Sequence, residues 1–226
     1  IGGVHCLCAD VGTIDGHPLS GYVAGDVLPA SLWDLRHRPV SAPEGMVYIE
    51  PLDLWADIYL NSWDGEKVVS EYGAVIADGT SARSYHWWRW AEEFNLLKKR
   101  LPHRWEFREL ADGSPEAVNI QGSADPNTTG GHTATNSQRI ISKYGCEDCT
   151  GVLWQWGSDL TTHGTTNGWA GYSYNSNIVP TESNRGGEYY ATTYAARFGG
   201  SWLNGSYCGS RSVIWYDSVV DLYGTN

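Results

Sequence analysis

The chain has 226 residues and a formal net charge of −11, a size that suits one domain or one domain with a small appendage. With 41% hydrophobic and 18% charged residues, it is not the composition of a disordered protein. The acidic balance disfavours nucleic acid and anionic membrane surfaces as partners, and no apolar run reaches the roughly 18 residues of a membrane-spanning helix. We therefore expect no nucleic-acid partner and no membrane insertion.

The composition is rich in Trp, Tyr and Gly. The chain has 12 Trp, 14 Tyr and 27 Gly, but only 3 Phe. Tyr and Trp combine a large apolar area with one polar group, and frequent Gly indicates many turns and close backbone approaches. The composition therefore predicts a loop-rich globule held together by aromatic side chains, rather than a helical bundle.

The first third of the chain predicts short strands. Residues 1–44 are rich in Gly, Pro, Asp and His, and we interpret them as an N-terminal extension with short strands, followed by a main domain over 45–226. The predicted elements at the start of the main domain are strands over 45–51, 54–60 and 68–77, with a turn over 61–67.

The middle of the chain contains the clearest helical pattern. Apolar residues recur there at a spacing of three to four, which gives one apolar stripe on a helix; they are Trp87, Trp90, Ala91, Phe94 and Leu97. Ser84 is the predicted N-cap, Lys98, Lys99 and Arg100 suit the negative end of the helix dipole, and Pro102 ends the helix. We interpret the stripe as core packing rather than as the lining of a cofactor site.

The remaining elements are shorter. They are a helix over 104–111 stopped by Gly113, a helix from Asn136 or Ser137 to Gly145, a strand over 151–156, and short strand-like pieces within 197–226. Between them, residues 157–190 form a long irregular polar region. A loop of this length is typical of a functional or mobile segment.

Residues that would carry enzyme or metal chemistry are sparse. The sequence contains no G-x-S-x-G elbow, H-E-x-x-H motif or P-loop. Cys146 and Cys149 have half of a zinc-site spacing, and Cys6 with Cys8 would have to supply the rest. Burial as small apolar side chains is the favoured interpretation of these thiols. Asp125 and Asn127 supply too few oxygens for a calcium site, so we expect no metal and no cofactor.

Several blocks, in order, resemble the C-type lectin fold of the formylglycine-generating-enzyme type. They are RLPHRWEFRELADG at 100–113, YGCEDCTG at 144–151, VLWQWGSD at 152–159, and FGGSW at 198–202. Within that superfamily the chain is most similar to the variable proteins of diversity-generating retroelements, which include phage tropism determinants. The segments that carry this closer likeness are NI at 119–120, GSADP at 122–126, TTGGH at 128–132, CEDC at 146–149, GGSW at 199–202 and GSR at 209–211, with Trp215.

The resemblance covers roughly residues 45–226 and implies both a fold and a function. The implied fold is α+β and C-type lectin-like, with two main helices, small mixed or antiparallel sheets and many loops. The implied function is that of a ligand- or receptor-binding variable protein. In this family, adenine-directed mutagenesis rewrites Asn codons near the C-terminus, and the fixed residues between them are framework.

The family pattern divides the C-terminal stretch into two sets of positions. Every residue of the variable set is of a type that an Asn codon reaches through adenine changes alone. The implied variable, ligand-binding positions are Leu203, Asn204, Tyr207, Ile214, Tyr216, Asp217, Asp221, Tyr223 and Thr225. The implied framework positions are Gly199, Gly200, Trp202, Gly209, Ser210, Arg211 and Trp215. Strand alternation further predicts that Trp202 and Trp215 face inwards while Leu203, Ile214 and Tyr216 face outwards.

The same resemblance implies a partner and a location. The partner is a protein or glycan target on a cell surface, and the location is a virion surface such as a tail-fibre tip, or an extracellular cell surface. Because one such face binds weakly, a homotrimer or another multivalent array would suit the function.

Three other functions stay open. A formylglycine-generating-type enzyme relative would need two close cysteines in the segment after GGSW, where the chain has Cys208 alone. A calcium-dependent glycan lectin would need ligand motifs that the sequence lacks. A virion structural protein or adhesin of fixed specificity would carry the same framework without variation.

Overall fold

The computed structural model describes residues 4–5, 22–23, 25–27, 33–34, 45–77, 86–162 and 193–215. The described residues form two α-helices and nine β-strands. The strands pair into three two-stranded antiparallel sheets and one three-stranded antiparallel sheet. This α+β architecture of two helices and small sheets agrees with the predicted fold class. Neither described helix has the length and apolar character that crossing a bilayer requires.

The N-terminal strands are short. Strand β1 (Val4–His5) pairs with β2 (Trp33–Asp34), and β3 (Met46–Ile49) pairs with β4 (Leu54–Asp57). The β3–β4 pair confirms the strands predicted over 45–51 and 54–60, although β4 is shorter. The division of the chain between residues 44 and 45 stays a prediction.

A second hairpin corrects the turn predicted over 61–67. Strand β5 (Asn61–Trp63) pairs with β6 (Val68–Ser70), so the first three residues of the predicted turn are strand. The remaining turn is tight because Asp64 Oδ1 accepts the backbone N–H groups of Glu66 at 2.8 Å and Lys67 at 2.9 Å. An aspartate side chain that accepts backbone N–H groups of its own turn in this way favours the turn.

Helix α1 (Trp87–Leu96) carries the predicted apolar stripe, with Trp87, Trp90 and Phe94 buried. Its N-cap is His86, whose Nδ1 accepts the N–H of Arg89 at 3.2 Å; the predicted cap, Ser84, lies outside the described residues. The helix ends earlier than Pro102 predicts, because Lys98 adopts a left-handed φ of +59°. The cations predicted for the last helical turn therefore follow the helix.

Helix α2 (Arg104–Leu110) matches the helix predicted over 104–111. Glu106 fixes its start: the carboxylate accepts the N–H of His103 at 2.8 Å and a bidentate pair from Arg100 at 2.7 and 2.6 Å. Burial opposes ionisation of this carboxyl, but the Arg100 and His103 hydrogen bonds outweigh it and hold the pKa of Glu106 below its ordinary value.

The helix predicted from Asn136 or Ser137 to Gly145 is wrong. Ser137 has φ +67° and Gly145 has φ +93°, and each of these left-handed residues turns the chain sharply. Between the turns, isolated antiparallel bridges join Thr133 to Arg139 and Ile141 to Glu147. The apolar residues of this segment pack into the core from extended backbone.

The C-terminal sheet has the order β7 (Gln155–Thr162), β8 (Thr193–Gly199), β9 (Gly209–Ile214), and both of its pairings are antiparallel. The strand predicted over 151–156 starts only at Gln155. The preceding Val152 instead forms a parallel bridge to Ser201, in the connection between β8 and β9.

The core joins α2 to this sheet and to the first hairpin. Phe107 of α2 stacks on Phe198 of β8 with ring centroids 5.0 Å apart, and the same cluster contains Val47 and Ile49 of β3. Cys146 and Cys149 lie buried as free thiols in this cluster, which confirms their interpretation as buried side chains. Within the described ranges, no group of three or more His, Cys, Asp or Glu side chains is arranged to hold a metal ion.

Candidate functional site

The connection between β8 and β9, residues 200–208, contains three of the predicted variable positions, and we call it the β8–β9 loop. It is entered through two glycines, Gly199 at φ +87° and Gly200 at φ +86°. A Cβ atom on Gly199 would lie 2.3 Å from the Cys149 carbonyl oxygen, and one on Gly200 would lie 2.8 Å from the Cys208 sulfur. Neither position can therefore carry a side chain, and this steric limit explains why each would stay constant as a framework position.

Hydrogen bonds fasten the β8–β9 loop to the body of the domain. The Trp202 N–H donates to the Val152 carbonyl at 2.9 Å, and the Ala117 N–H donates to the Cys208 carbonyl at 2.9 Å. The Asn119 side-chain amide donates to the Trp202 carbonyl. These three bonds use the loop backbone only, so they do not depend on which side chains the loop carries.

Two side chains project from this fastened loop into solvent. Leu203 is 69% exposed and Tyr207 is 78% exposed. These side chains do not contribute to the core, and two large exposed side chains on one well-held loop offer a contact surface of the kind that binding sites use. Both positions face outwards, as the sequence predicts for Leu203.

The third predicted position on the loop, Asn204, is used differently. Its Oδ1 accepts the Ser201 backbone N–H at 2.8 Å and the Ser201 hydroxyl at 2.6 Å, while its own N–H donates to the Ser201 carbonyl at 2.9 Å. The half-buried side chain thus closes the turn that presents Leu203. The family pattern predicts Asn204 as a variable position, and this stays a prediction; in the structure its side chain closes the loop.

The carboxylate of Glu116, which the sequence did not single out, holds the start of strand β9. Glu116 Oε1 accepts the Ser210 N–H at 3.0 Å, and a Cβ atom on Gly209 would lie 2.0 Å from Glu116 Oε2. The carboxylate thus occupies the space above the glycine and explains why Gly209 carries no side chain. No motif or spacing signals this contact, because Glu116 and Ser210 lie far apart in the sequence.

The other predicted positions lie at the end of β9 or beyond it. Ile214 is half-buried and pairs with Arg197 of β8. Trp215 is 37% exposed, so the prediction that it faces inwards is wrong: it follows the last paired residue of β9, where the alternation of the strand no longer applies. The remaining predicted variable positions lie outside the described residues; they are Tyr216, Asp217, Asp221, Tyr223 and Thr225.

Cys208 has the environment of a structural thiol. It is buried, its thiol donates to the Ser201 carbonyl at 3.3 Å, and burial raises its pKa to about 11. A thiol acts as a nucleophile only as the thiolate, which such a pKa makes scarce at neutral pH. The pKa of Cys149 is also raised, by its contact with the Cys146 thiol and by burial.

A buried acidic pair, Glu147 and Asp148, supports the segment over residues 128–132. Asp148 Oδ2 accepts the Gly130 N–H at 2.7 Å and bonds to His132 Nδ1 at 2.9 Å, while Glu147 accepts the Gly131 N–H and an Arg139 N–H at 2.9 Å. Burial lowers the pKa of His132, but the hydrogen bond and charge of Asp148 outweigh this and raise it above its ordinary value. The TTGGH and CEDC segments of the family likeness are therefore bonded to each other.

Comparison with known proteins finds a phage protein that is similar to this chain. No protein-family model matches the chain. The tail fiber receptor-binding protein of Bordetella phage BPP-1 is 35% identical over 219 residues, which cover 87% of this chain and 54% of that protein. The chain therefore spans about half the length of this relative.

Solved structures give the same result for the fold. The Major Tropism Determinant I1 variant superposes with a TM-score of 0.76 and 31% identity over 100% of this chain and 61% of its own length. The U1 variant gives 0.72 and 29% over the same shares. The P3c variant gives 0.70 and 32% over 99% of this chain and 62% of its own length. The chain is thus homologous to the tail fibre receptor-binding protein and to the Major Tropism Determinant variants, and it has their C-type lectin-like fold.

Proposed function

We propose that the chain is the receptor-binding part of a phage tail fibre and that its β8–β9 loop contacts the target. One observation carries the proposal: Leu203 and Tyr207 are 69% and 78% exposed on a loop whose backbone is fastened by other residues. The relative from Bordetella phage BPP-1 is a tail fiber receptor-binding protein, which supports the same function for this chain.

The chemistry of the exposed side chains suits recognition. A tyrosine offers a rigid, amphipathic contact area at low conformational-entropy cost, and small polar neighbours supply adaptable hydrogen bonds. Because the loop is fastened through its backbone, replacing Leu203 or Tyr207 changes the contact surface without removing a described hydrogen bond of its side chain. A face of this kind tolerates variation and recognises its target without catalysis.

The full binding face that we propose is the set of predicted variable positions: Leu203, Asn204, Tyr207, Ile214, Tyr216, Asp217, Asp221, Tyr223 and Thr225. A diversity-generating retroelement would rewrite them. Two of the described members, Asn204 and Ile214, are half-buried. We therefore expect variation to be restricted to residues that keep the loop closed at Asn204 and that keep the packing of β9 at Ile214.

The proposed partner is a protein or glycan on the surface of a host cell, and the proposed location is the tip of a tail fibre. A single face of this size binds with an affinity of roughly μM to mM, and display in several copies multiplies the avidity. A homotrimer or another multivalent array would supply those copies.

Sequencing of the 3′ end of the gene across a natural population tests the diversification. We expect substitutions to cluster at the proposed variable positions, while Gly199, Gly200, Trp202 and Gly209 stay constant. Constant residues at Leu203 and Tyr207, or changes spread evenly over the chain, would instead support an adhesin of fixed specificity.

A binding assay tests the face itself. The labelled full chain is first screened over a panel of bacterial isolates for cells that it stains. On those cells, Leu203→Ala and Tyr207→Ala should each weaken staining by about tenfold, the size of an interface hot spot. The matched control is Leu96→Ala, because Leu96 is also 69% exposed but lies on α1. Equal staining by the Leu203 and Leu96 variants would contradict the proposed face.

A further inference from the structure

Residues 116–119, which we call the clamp segment, contact the β8–β9 loop from outside the stretch that carries the predicted variable positions. Three hydrogen bonds join the clamp segment to backbone groups of the loop and of β9. They run from the Asn119 side-chain amide to the Trp202 carbonyl, from the Ala117 N–H to the Cys208 carbonyl at 2.9 Å, and from the Ser210 N–H to Glu116 Oε1 at 3.0 Å. The first bond lies just before Leu203 and the other two follow Tyr207. One short segment therefore holds the loop on both sides of its exposed side chains.

The clamp segment is itself held by the body of the domain. The hydroxyl of Thr150, a residue that is 1% exposed, donates to the Pro115 carbonyl at 2.8 Å. At the other end, the Thr135 N–H donates to the Asn119 carbonyl at 2.8 Å. None of these partners belongs to the β8–β9 loop. The clamp segment is thus a reference point whose position does not depend on the loop that it holds.

The backbone of the clamp segment is strained at Ala117, which has a φ of +59°. A left-handed conformation is unfavourable for a residue with a Cβ atom and persists only where the surrounding structure imposes it. This residue lies between Glu116 and Asn119, the two residues whose side chains bond to the loop and to β9. Strain of this kind is concentrated at functional sites. The backbone that brings both side chains to their partners is therefore imposed by the fold.

The two side chains act on the main chain of the loop and of β9 and on no variable side chain. The Asn119 amide is buried, and its N–H groups donate to the Trp202 carbonyl and to the Ser123 hydroxyl oxygen. The Glu116 carboxylate makes a charge-assisted bond to a backbone N–H of β9, a stronger type than a bond between neutral groups. Both contacts therefore persist whichever side chains the loop presents.

We propose that Glu116 and Asn119 are positioning residues of the receptor-binding face, which fix Leu203 and Tyr207 relative to each other. The inference rests on the proposed function of the β8–β9 loop. A loop that is already held in its bound geometry loses less conformational entropy on binding, so the clamp segment raises affinity through preorganisation. Because the two side chains act through the backbone, they set how strongly the face binds and leave the choice of target to the exposed residues.

Staining of at least two bacterial isolates that the labelled full chain recognises tests the effect on binding. Glu116→Ala removes the acceptor of the Ser210 N–H and should weaken staining of every isolate by the same factor, about fivefold for one lost hydrogen bond. Glu116→Gln keeps an oxygen that accepts the same N–H, so it should stain within about twofold of the unmodified chain. Leu203→Ala, which alters the contact surface itself, should weaken the isolates by unequal factors.

Two control variants separate positioning from stability. Ala117→Gly keeps the N–H that Cys208 accepts and suits the left-handed φ, so it should leave staining unchanged. Val68→Ala creates a gap in the cluster that packs against α1, where Val68 is 4% exposed. It lowers stability without touching the clamp segment and should also leave staining unchanged at a temperature well below its Tm.

Hydrogen exchange reads the clamp segment without any receptor. Glu116→Ala should speed exchange of the Ser210 amide by about tenfold and leave the Trp202 amide unchanged, whereas Asn119→Ala should do the reverse. Val68→Ala should change the two amides by equal factors. Glu116 is an exposed residue, so the test stands on Glu116→Ala even if the buried Asn119 variant unfolds.

The outcomes distinguish this inference from the proposed function. Failure of the unmodified chain to stain any isolate would contradict the proposed function, and with it the inference. If the unmodified chain stains cells, the inference alone is overturned by any of three results. These are unchanged staining with Glu116→Ala, no rescue by Glu116→Gln, and a loss with Val68→Ala as large as that with Glu116→Ala. Equal exchange of the Ser210 amide in the Glu116→Ala and unmodified chains would overturn it as well.

Discussion

Replacing Gly199 by alanine tests whether the entry to the β8–β9 loop is a fixed frame. The new Cβ would lie 2.3 Å from the Cys149 carbonyl oxygen, and that carbonyl already accepts a hydrogen bond from the Gln155 side chain. The backbone of a buried segment would have to move by about 1 Å, since a carbon–oxygen contact needs roughly 3.3 Å.

The magnitude follows from two contributions. A non-glycine residue at a left-handed φ costs about 1 kcal/mol, and overpacking a well-packed site costs about 1–3 kcal/mol. We therefore expect Gly199→Ala to lower the free energy of unfolding by about 2–4 kcal/mol, which lowers the Tm by roughly 4–16 °C for a domain of this size.

Gly205 provides the matched control within the same loop. It also has a positive φ, +50°, but a Cβ atom there would meet nothing within 4 Å. Gly205→Ala should therefore cost only the backbone contribution of about 1 kcal/mol. Urea unfolding followed by tryptophan fluorescence measures both variants. If they unfold within about 0.5 kcal/mol of each other, the steric argument for the frame is refuted.

Three further predictions concern single side chains. Because burial raises the pKa of Cys208 to about 11, iodoacetamide at pH 8 should label it at least about 100-fold more slowly in the native than in the unfolded protein; comparable rates by mass spectrometry would contradict this. The pKa of His132 is raised by Asp148, so its stabilisation is complete below its unfolded pKa of about 6.5 and is lost as the pH rises through the folded value. His132→Gln should therefore cost about 1–2 kcal/mol near pH 5.5 and less near pH 9, and a cost that does not change with pH would count against the pair. Asn204→Ala should speed hydrogen exchange of the Ser201 amide by about tenfold, whereas Asn204→Asp, which keeps the accepting oxygen, should not; equal exchange in both variants would disprove the loop-closing role.

Local patterns along the chain predicted the local elements. The 3–4 spacing from Trp87 to Leu97 and the stop signal at Gly113 correspond to helices α1 and α2, because each depends on residues within one or two helical turns. The order of family blocks also identified the C-type lectin-like fold, since framework glycines such as Gly199 keep their motif wherever that backbone is required.

Elements that the apolar pattern alone does not decide were not predictable in this way. The segment from Ser137 to Gly145 has apolar residues that fit a helix, but two left-handed residues and the isolated bridges Thr133–Arg139 and Ile141–Glu147 make it extended. The inward orientation predicted for Trp215 failed because alternation holds only while a strand stays paired. In both cases the spacing of apolar residues does not report the deciding feature, which is a left-handed turn for the segment and the end of strand pairing for Trp215.

The sequence by itself determined the two helices, the first hairpin and the framework glycines of the β8–β9 loop, because each is encoded by neighbouring residues or by a motif. Only the tertiary structure showed that Glu116 occupies the space above Gly209 and that Asn204 closes the loop. These relationships join residues that are far apart in sequence or turn on which atom a side chain presents, and such information exists only once the chain has packed.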